Sequence, residues 1–383
     1  VSNPHTLFES SFRYTDSLYR WNQKTVGTGS STIDINASVI NLSVGSIVND
    51  SVIRETERVF GYQPGKSLLI LSTFTMNPAK ENLRQRVGYF GKDNGIYFEV
   101  DGTQVSIVKR SSSGGSIQET KVLQSNWLND PLDGTGRSGI TLDPSKSQIF
   151  WTDIEWLGVG SVRTGFIIDG KYIICHTFHH ANSIESTYMT TASLPLRYEI
   201  TNTGNTSGNS TLKQICSTVI SEGGYNPAIL TQSASTPLTG KNLTVGIENP
   251  MVSIRLRSGK TDGIVIPKEV NFYGLQSTAY KYKIIKDGIL SNPSWQIADS
   301  SHIAEYDLDA DSIQGGVVIY EGLFKGQSNV NPIHLSEIFE NSIQLTRGII
   351  ENDSAGDTFS ITLEPTTNND DAIVSLSWQS HNA

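Results

Sequence analysis

Trp151, Asp153 and Glu155 alternate along the stretch "FWTDIEWLG", residues 150–158, and alternation is the spacing of a β-strand. A strand sends successive side chains to opposite faces. These three therefore share one face, and Phe150, Thr152, Ile154 and Trp156 share the other. The second set is apolar enough to be core. The first offers two chemistries. Paired carboxylates can flank a glycosidic bond as acid and base or nucleophile, whereas a ring beside carboxylates can hold a sugar by stacking and hydrogen bonding. Same-face neighbours on a strand stand roughly 6.5–7 Å apart. Retaining hydrolysis needs about 5–5.5 Å and inverting hydrolysis about 6.5–9.5 Å, so Asp153 and Glu155 reach only the lower edge of the second range. Carbohydrate binding by Trp151, Asp153 and Glu155 fits better than catalysis. The plainer alternative is pairing of both carboxylates with Arg or Lys on adjacent strands, Arg163 among them, or burial at a subunit contact.

Other constellations carry less. "CHTFHHAN" holds His176, His179 and His180, but two histidines four apart on a strand are ~13 Å apart, against about 2.0 Å for a zinc–nitrogen bond. No metal is expected there. "NDPLDGTGRSG" places Asp130 and Asp133 beside glycines but lacks the Asp-x-Asp-x-Asp-Gly spacing and distal Glu of a calcium loop; it reads as a turn. "YQPGKS" lacks the first glycine of a phosphate loop, and Pro64 removes a donor. Cys175 and Cys216 are the only cysteines. They allow one bridge, but two buried free thiols are the preferred reading. Asn-x-Ser/Thr triplets such as Asn36-Ala37-Ser38 are expected by chance in a chain so rich in these residues.

The elements that must position the opening strand are themselves strands. Hairpin signals recur at Asn94-Gly95, Asp101-Gly102 and Asp169-Gly170, the pairs that supply the positive φ angles of two-residue turns. In "VRTGFIIDGKYIICHTF" the alternation assigns Val162, Phe166, Ile168, Tyr172, Ile174 and Phe178 to the core. Many short strands at this spacing indicate a sandwich or barrel. Strand patterns resume after the polar run "TQSASTPLTGKN", which places a boundary near residue 240, and one short helix is expected at "HLSEIFENS". Charged residues are 17% of the 383, below the roughly 25% usual in soluble domains. A net charge of −9 with no basic cluster argues against a phosphate backbone as partner. No apolar run approaches the length of a membrane span. The start, "VSNPHTLFESSF", has neither a signal-peptide pattern nor an initiator Met, so the chain reads as a processed product or a fragment.

"VIRETERVFGYQPGKSLLILSTFTM", "RVGYFGKDNGIYFE", "LDGTGRSGITLDPSKSQIFWTDIEWLGVGSVRTGFIIDG" and "SLPLRYEI" together resemble a virion structural protein family of marine tailed phages, cyanophages among them. Its members are described as tail-fibre-like or as capsid- and tail-associated components. The resemblance spans roughly residues 45 to 225, is most specific from Leu132 to Gly170, and loosens toward the C-terminus. It brings no catalytic residues with it. The meander also resembles a concanavalin-like jelly roll. Laminarinase-type glycoside hydrolases share that roll and carry Glu-x-Asp-x-Glu on their catalytic strand, with the first Glu as nucleophile. Here Trp151 stands at that first position, with Asp153 and Glu155 at the other two.

The expectation is an all-β chain: a concanavalin-like jelly-roll β-sandwich over residues 1–240 and a smaller β domain over 241–383. No enzyme activity, cofactor or metal is expected. The resemblance implies a homo-oligomer on the exposed surface of a phage particle. Its partners would be other virion proteins and a host surface glycan, with no nucleic acid and no membrane span. A free-standing carbohydrate-binding adhesin is the alternative, and a glycoside hydrolase the third reading.

Overall fold

The computed structural model describes residues 3–224, 231–260, 263–297, 302–328, 332–339, 343–346 and 357–381. The chain divides into two compact units, Val1–Pro227 and Ala228–Ala383. Among the described residues, helix is confined to a 3₁₀ turn at Gln124–Asn126 and to α1 at Leu335–Phe339. The all-β expectation holds.

The first unit contains β1 Pro4–Ser11, β2 Trp21–Val26, β3 Ser30–Asp34, β4 Val39–Val44, β5 Ser51–Thr56, β6 Leu68–Thr75, β7 Leu83–Phe90, β8 Gly95–Asp101, β9 Gln104–Ser111, β10 Gln118–Leu123, β11 Gln148–Ile154, β12 Val162–Ile168, β13 Lys171–Phe178, β14 Leu196–Asn202 and β15 Ser210–Glu222. An eight-stranded sheet runs β13-β12-β11-β6-β15-β4-β3, with β1 also on β15, and a seven-stranded sheet runs β10-β9-β8-β7-β14-β5-β2. Early strands pair with late ones: β1 and β4 with β15, β5 with β14, β6 with β11. Successive strands β4 to β7 alternate between the two sheets. That nesting is the winding of a jelly roll.

Inward side chains of the two sheets meet in one core. Phe98 of the seven-stranded sheet lies 5.1 Å from Phe166 and 5.9 Å from Phe74 and Phe150 of the other sheet, centroid to centroid. The Tyr198 hydroxyl crosses between sheets to donate to the Cys216 carbonyl (3.1 Å) and to meet Ser217 Oγ (2.8 Å). All three expected hairpins form, but only the third turns on the expected pair, with Asp169 and Gly170 both at positive φ, 51° and 73°. The first turns through residues 91–94, with Gly95 already on β8, and the second through Gly102-Thr103, where Gly102 alone has positive φ, 61°.

One expectation fails at a single residue. The β12–β13 ladder slips between Thr164 and Gly165: Thr164 faces His176, but Gly165 faces Ile174, leaving Cys175 as the extra residue. A bulge of one residue reverses the side-chain parity beyond it. Val162, Phe166 and Phe178 are buried as expected, whereas Tyr172 and Ile174 turn outward, 55% and 37% exposed.

The second unit contains β16 Thr231–Ser235, β17 Lys241–Leu243, β18 Asn249–Leu256, β19 Ile264–Gly274, β20 Ala279–Lys286, β21 Ile289–Ser291, β22 Ala304–Asp307, β23 Ser312–Gln314, β24 Val317–Lys325, β25 Ile333–His334, β26 Thr358–Pro365 and β27 Asp370–His381. Sheets β16-β27-β19-β25 (with β17 on β27) and β22-β18-β26-β20-β24 enclose a second core, with Phe272 of one 4.7 Å from Tyr282 of the other. The polar run after residue 230 is therefore not a linker. β16 and β17 pair with β27, so the division falls before them and not near residue 240. The helix expected at "HLSEIFENS" is α1, and residues 340–342 lie outside the described set. Leu345, within the strand-like stretch "SIQLTRGII", forms a bridge with Val265, and residues 342 and 347–350 of that stretch lie outside the described set.

Candidate functional site

β11 is the third strand of the eight-stranded sheet, between β12 and β6. Phe150 and Ile154 point into the core, with Trp156 packed against its margin. Trp151 and Asp153 point outward, as alternation requires. The strand ends at Ile154, so Glu155 lies beyond it and is exposed. Trp151 is only 4% exposed. It sits opposite Gly165 and Leu71, with Tyr172 edge-on to its ring at 5.7 Å. Its indole N–H has no hydrogen-bond partner among the described residues. Asp153 is paired with Arg163, directly across the ladder. Its Oδ2 takes that cation, while Oδ1 is buried with no partner among the described residues. Trp151, Asp153, Arg163 and Tyr172 thus form one patch. Its accessible aromatic is Tyr172, which sequence alone assigned to the core. Glu155 stands apart from it along the chain.

The seven-stranded sheet carries a larger polar array on its outer face. Cross-strand register places Glu55, Arg197, Gly88, Tyr97, Val108 and Lys121 in one row, and Glu199, Arg86, Glu99 and Ser106 in the next. Gly88 is required here, because a Cβ would come within 2.7 Å of the Tyr97 backbone. The charges alternate. Arg86 donates to Glu199 (2.8 Å) and lies 3.9 Å from Glu99 and 4.0 Å from Glu119. Arg197 lies 3.4 Å from both Glu55 and Glu199, and Lys121 reaches Glu99 at 2.7 Å. Arg110 and the Tyr97 hydroxyl both donate to Glu119 at 2.7 Å. Glu99 and Glu199 are 1% and 5% exposed.

Such burial raises a carboxyl pKa, and nearby cations lower it. Burial would lift Glu119, but the hydrogen bonds from Tyr97 and Arg110 and the charges of Arg110 and Lys121 outweigh it and hold it at about 2. For Glu199 burial is likewise outweighed, by Arg86, Arg197 and Arg84, and its carboxyl lies below the usual range. These are carboxylates fixed in the ionised form. A general acid needs the opposite tuning. Sequence reading passed over this array. Its signal was charged residues at alternate positions, Arg84 and Arg86 in "LRQRVGYF", Glu99 and Asp101 in "YFEVD", Glu119 and Lys121 in "QETK" and Arg197 and Glu199 in "LRYEI", with Glu55 in "IRETE".

The remaining candidates have structural partners. His176 Nδ1 accepts from the Leu128 amide at 3.3 Å, and burial pushes its pKa down to about 4. β13 ends at Phe178, so His179 and His180 do not continue its alternation. His180 stacks on Tyr188 with centroids 3.9 Å apart, and its ring nitrogens lie 2.6 Å from the Gly160 carbonyl and 3.0 Å from Lys109 Nζ. Asp130 accepts from the Leu132 and Ser138 amides at 3.0 and 2.7 Å, holding its loop closed. Asp133 does the same for Thr135. Both cysteines are free thiols, but only Cys175 is buried, because Cys216 faces outward on β15. Among the described residues no helix is long and apolar enough to cross a membrane.

No protein-family model and no curated protein matches the chain. Among solved structures, the carbohydrate recognition domain of Emp47p aligns with 59% of this chain and 99% of its own, at 10% identity and a TM-score of 0.36. A glycoside hydrolase family 16 endo-glucanase from Bacteroides ovatus aligns with 56% of this chain and 99% of its own, at 13% identity and 0.38. A legume lectin-like domain from Entamoeba histolytica aligns with 56% and 97%, at 11% identity and 0.32.

Proposed function

We propose that this chain is a non-enzymatic, surface-displayed protein of a phage particle whose first unit holds a host glycan on the outer face of its eight-stranded sheet. The observation that carries the glycan reading is the exposed Tyr172 ring seated on buried Trp151, beside the Asp153–Arg163 pair. An aromatic platform flanked by a charged donor and acceptor is the chemistry that takes a sugar's apolar face and its hydroxyls. Tyr172 supplies the platform, Trp151 holds it, and Asp153 and Arg163 fix orientation. The particle reading rests on the sequence resemblance from residue 45 to 225. A non-catalytic role is supported by Trp151 at the nucleophile position of the look-alike strand, and by Glu119 and Glu199 fixed as anions.

Immobilised host-derived polysaccharide, laminarin, agarose and alginate test the binding. The wild-type chain should be retained on at least one, and Tyr172→Ala should weaken retention by roughly 1–3 kcal/mol in lost aromatic contact. No reducing ends should appear. Retention unchanged in Tyr172→Ala would remove the patch, and sugar release abolished by Glu155→Gln would return the strand to the hydrolases. Light scattering should find an oligomer, and an antibody against the chain should decorate phage particles.

A further inference from the structure

Away from the glycan patch, the second unit holds three alternating carboxylates: Asp307 ends β22, and Asp309 and Asp311 lie in the loop between β22 and β23. At the centre of that loop is a lysine. Lys241, the first residue of β17, sends its ammonium to three backbone carbonyls: Pro250 (2.8 Å), Leu308 (3.0 Å) and Ala310 (3.0 Å). An ammonium has three N–H donors, and all three are used. Pro250 lies where a bulge interrupts the β18–β26 ladder, before Val252.

The carboxylates brace the loop around this point. Asp307, 2% exposed, accepts from the Ser294 amide (2.5 Å) and the Ala310 amide (3.0 Å). Asp311 accepts from Asn292 Nδ2 (2.9 Å), and its own amide donates to the Ser291 carbonyl (3.0 Å). Among the described residues, Asp309 receives a 3.5 Å contact from Gln296. Burial lowers the Lys241 pKa, and Asp307, Asp309 and Asp311 oppose that fall. Carbonyl oxygens converging on one point, with carboxylates around them, is how proteins bind hard cations such as calcium. Here the centre is already filled by the chain.

We infer that the Asp307–Asp311 loop is a cation-binding loop whose cation is the ammonium of Lys241, carried in the sequence instead of taken from solution. The second unit then needs no divalent ion to close the loop. Removing the lysine side chain leaves three carbonyls, with the nearby Asp309 and Asp311 carboxylates, as oxygen ligands for a free cation. Calcium is the ion that fits such a flexible oxygen set.

Thermal unfolding of the full chain with EDTA or with millimolar calcium chloride tests this. The wild-type midpoint should be the same in both. Lys241→Ala should melt lower in EDTA, and calcium should return at least half of the lost midpoint. A Lys241→Ala chain unfolded in EDTA that folds on adding calcium supports the inference equally. Lys241→Met, which fills the space without charge, should melt low and ignore calcium. Adding Asp309→Asn and Asp311→Asn to Lys241→Ala should abolish the calcium response. The inference is overturned if Lys241→Ala melts like wild type, or if calcium neither refolds it nor raises its midpoint.

Discussion

Replacing Arg86 with leucine should destabilise the first unit by about 3–5 kcal/mol at pH 7, the usual loss when one partner of a buried ion pair is removed. The structure supports the upper part of that range. Arg86 touches Glu199, Glu99 and Glu119, and the first two are almost fully buried. Leucine keeps the apolar stem but leaves carboxylates in a dry setting without their shared cation. At about 2–4 °C per kcal/mol for a unit of this size, the midpoint should fall by about 6–20 °C. The pH dependence sharpens the test. In the wild type Glu199 titrates below its usual value, so its stabilisation is present above about pH 4.5 and is lost as pH falls through the folded pKa. In Arg86→Leu the stranded carboxyls protonate more readily, and their penalty fades as pH falls. The gap between wild type and variant should therefore be widest at neutral pH and shrink below about pH 5. Urea unfolding at pH 4 and pH 7 measures it, and Arg86→Lys should recover part of the loss. A gap under about 1 kcal/mol at pH 7, or one equal at both pH values, would refute the reasoning.

Other outcomes are expected. Asp130→Ala should cost about 1–3 kcal/mol by stranding the Leu132 and Ser138 amides, read as a lower melting midpoint and faster proteolysis between residues 131 and 141. A thiol-alkylating reagent should label Cys216 in the native chain and Cys175 only after unfolding, because burial shields Cys175 and raises its pKa. Burial holds His176 and His180 near pKa 4 in the folded chain, so the unfolded chain binds their protons first. Stability should then decline as pH falls from about 6.5 to about 4, and replacing both by Gln should flatten that decline in a pH series of unfolding curves.

What could be read from sequence was what is local. The turn at Asp169-Gly170 is set by the φ preferences of two residues, and alternation along β11 placed Trp151 and Asp153 on the outer face. The extra residue at Cys175 was not legible, because a bulge is decided by the neighbouring strand, and it moved Tyr172 from expected core to accessible platform. The ionic array was hidden for a related reason. Its partners lie on strands far apart in the chain, and only register brings Arg86 between Glu199 and Glu99. "TQSAS" reads as part of a polar run because an edge strand with one wet face has little apolar signal. Asp307, Asp309 and Asp311 went unremarked for want of the glycine and distal Glu of a calcium loop, and their actual cation sits more than sixty residues earlier, at Lys241.

The alternating array on the seven-stranded sheet also bears on ionic strength. Dissolved ions weaken attractions between wet charges over a Debye length that shrinks to about 3 Å at 1 M salt, but they scarcely reach pairs enclosed by protein. Arg86, Arg197, Glu55, Glu99 and Glu199 are enclosed, and each cation there faces carboxylates in immediate contact. Because the signs alternate, the face also projects little net field for mobile ions to neutralise. These ion pairs should therefore contribute about as much in concentrated brine as in dilute buffer, a tolerance that comes from burying charge and not from multiplying it at the surface.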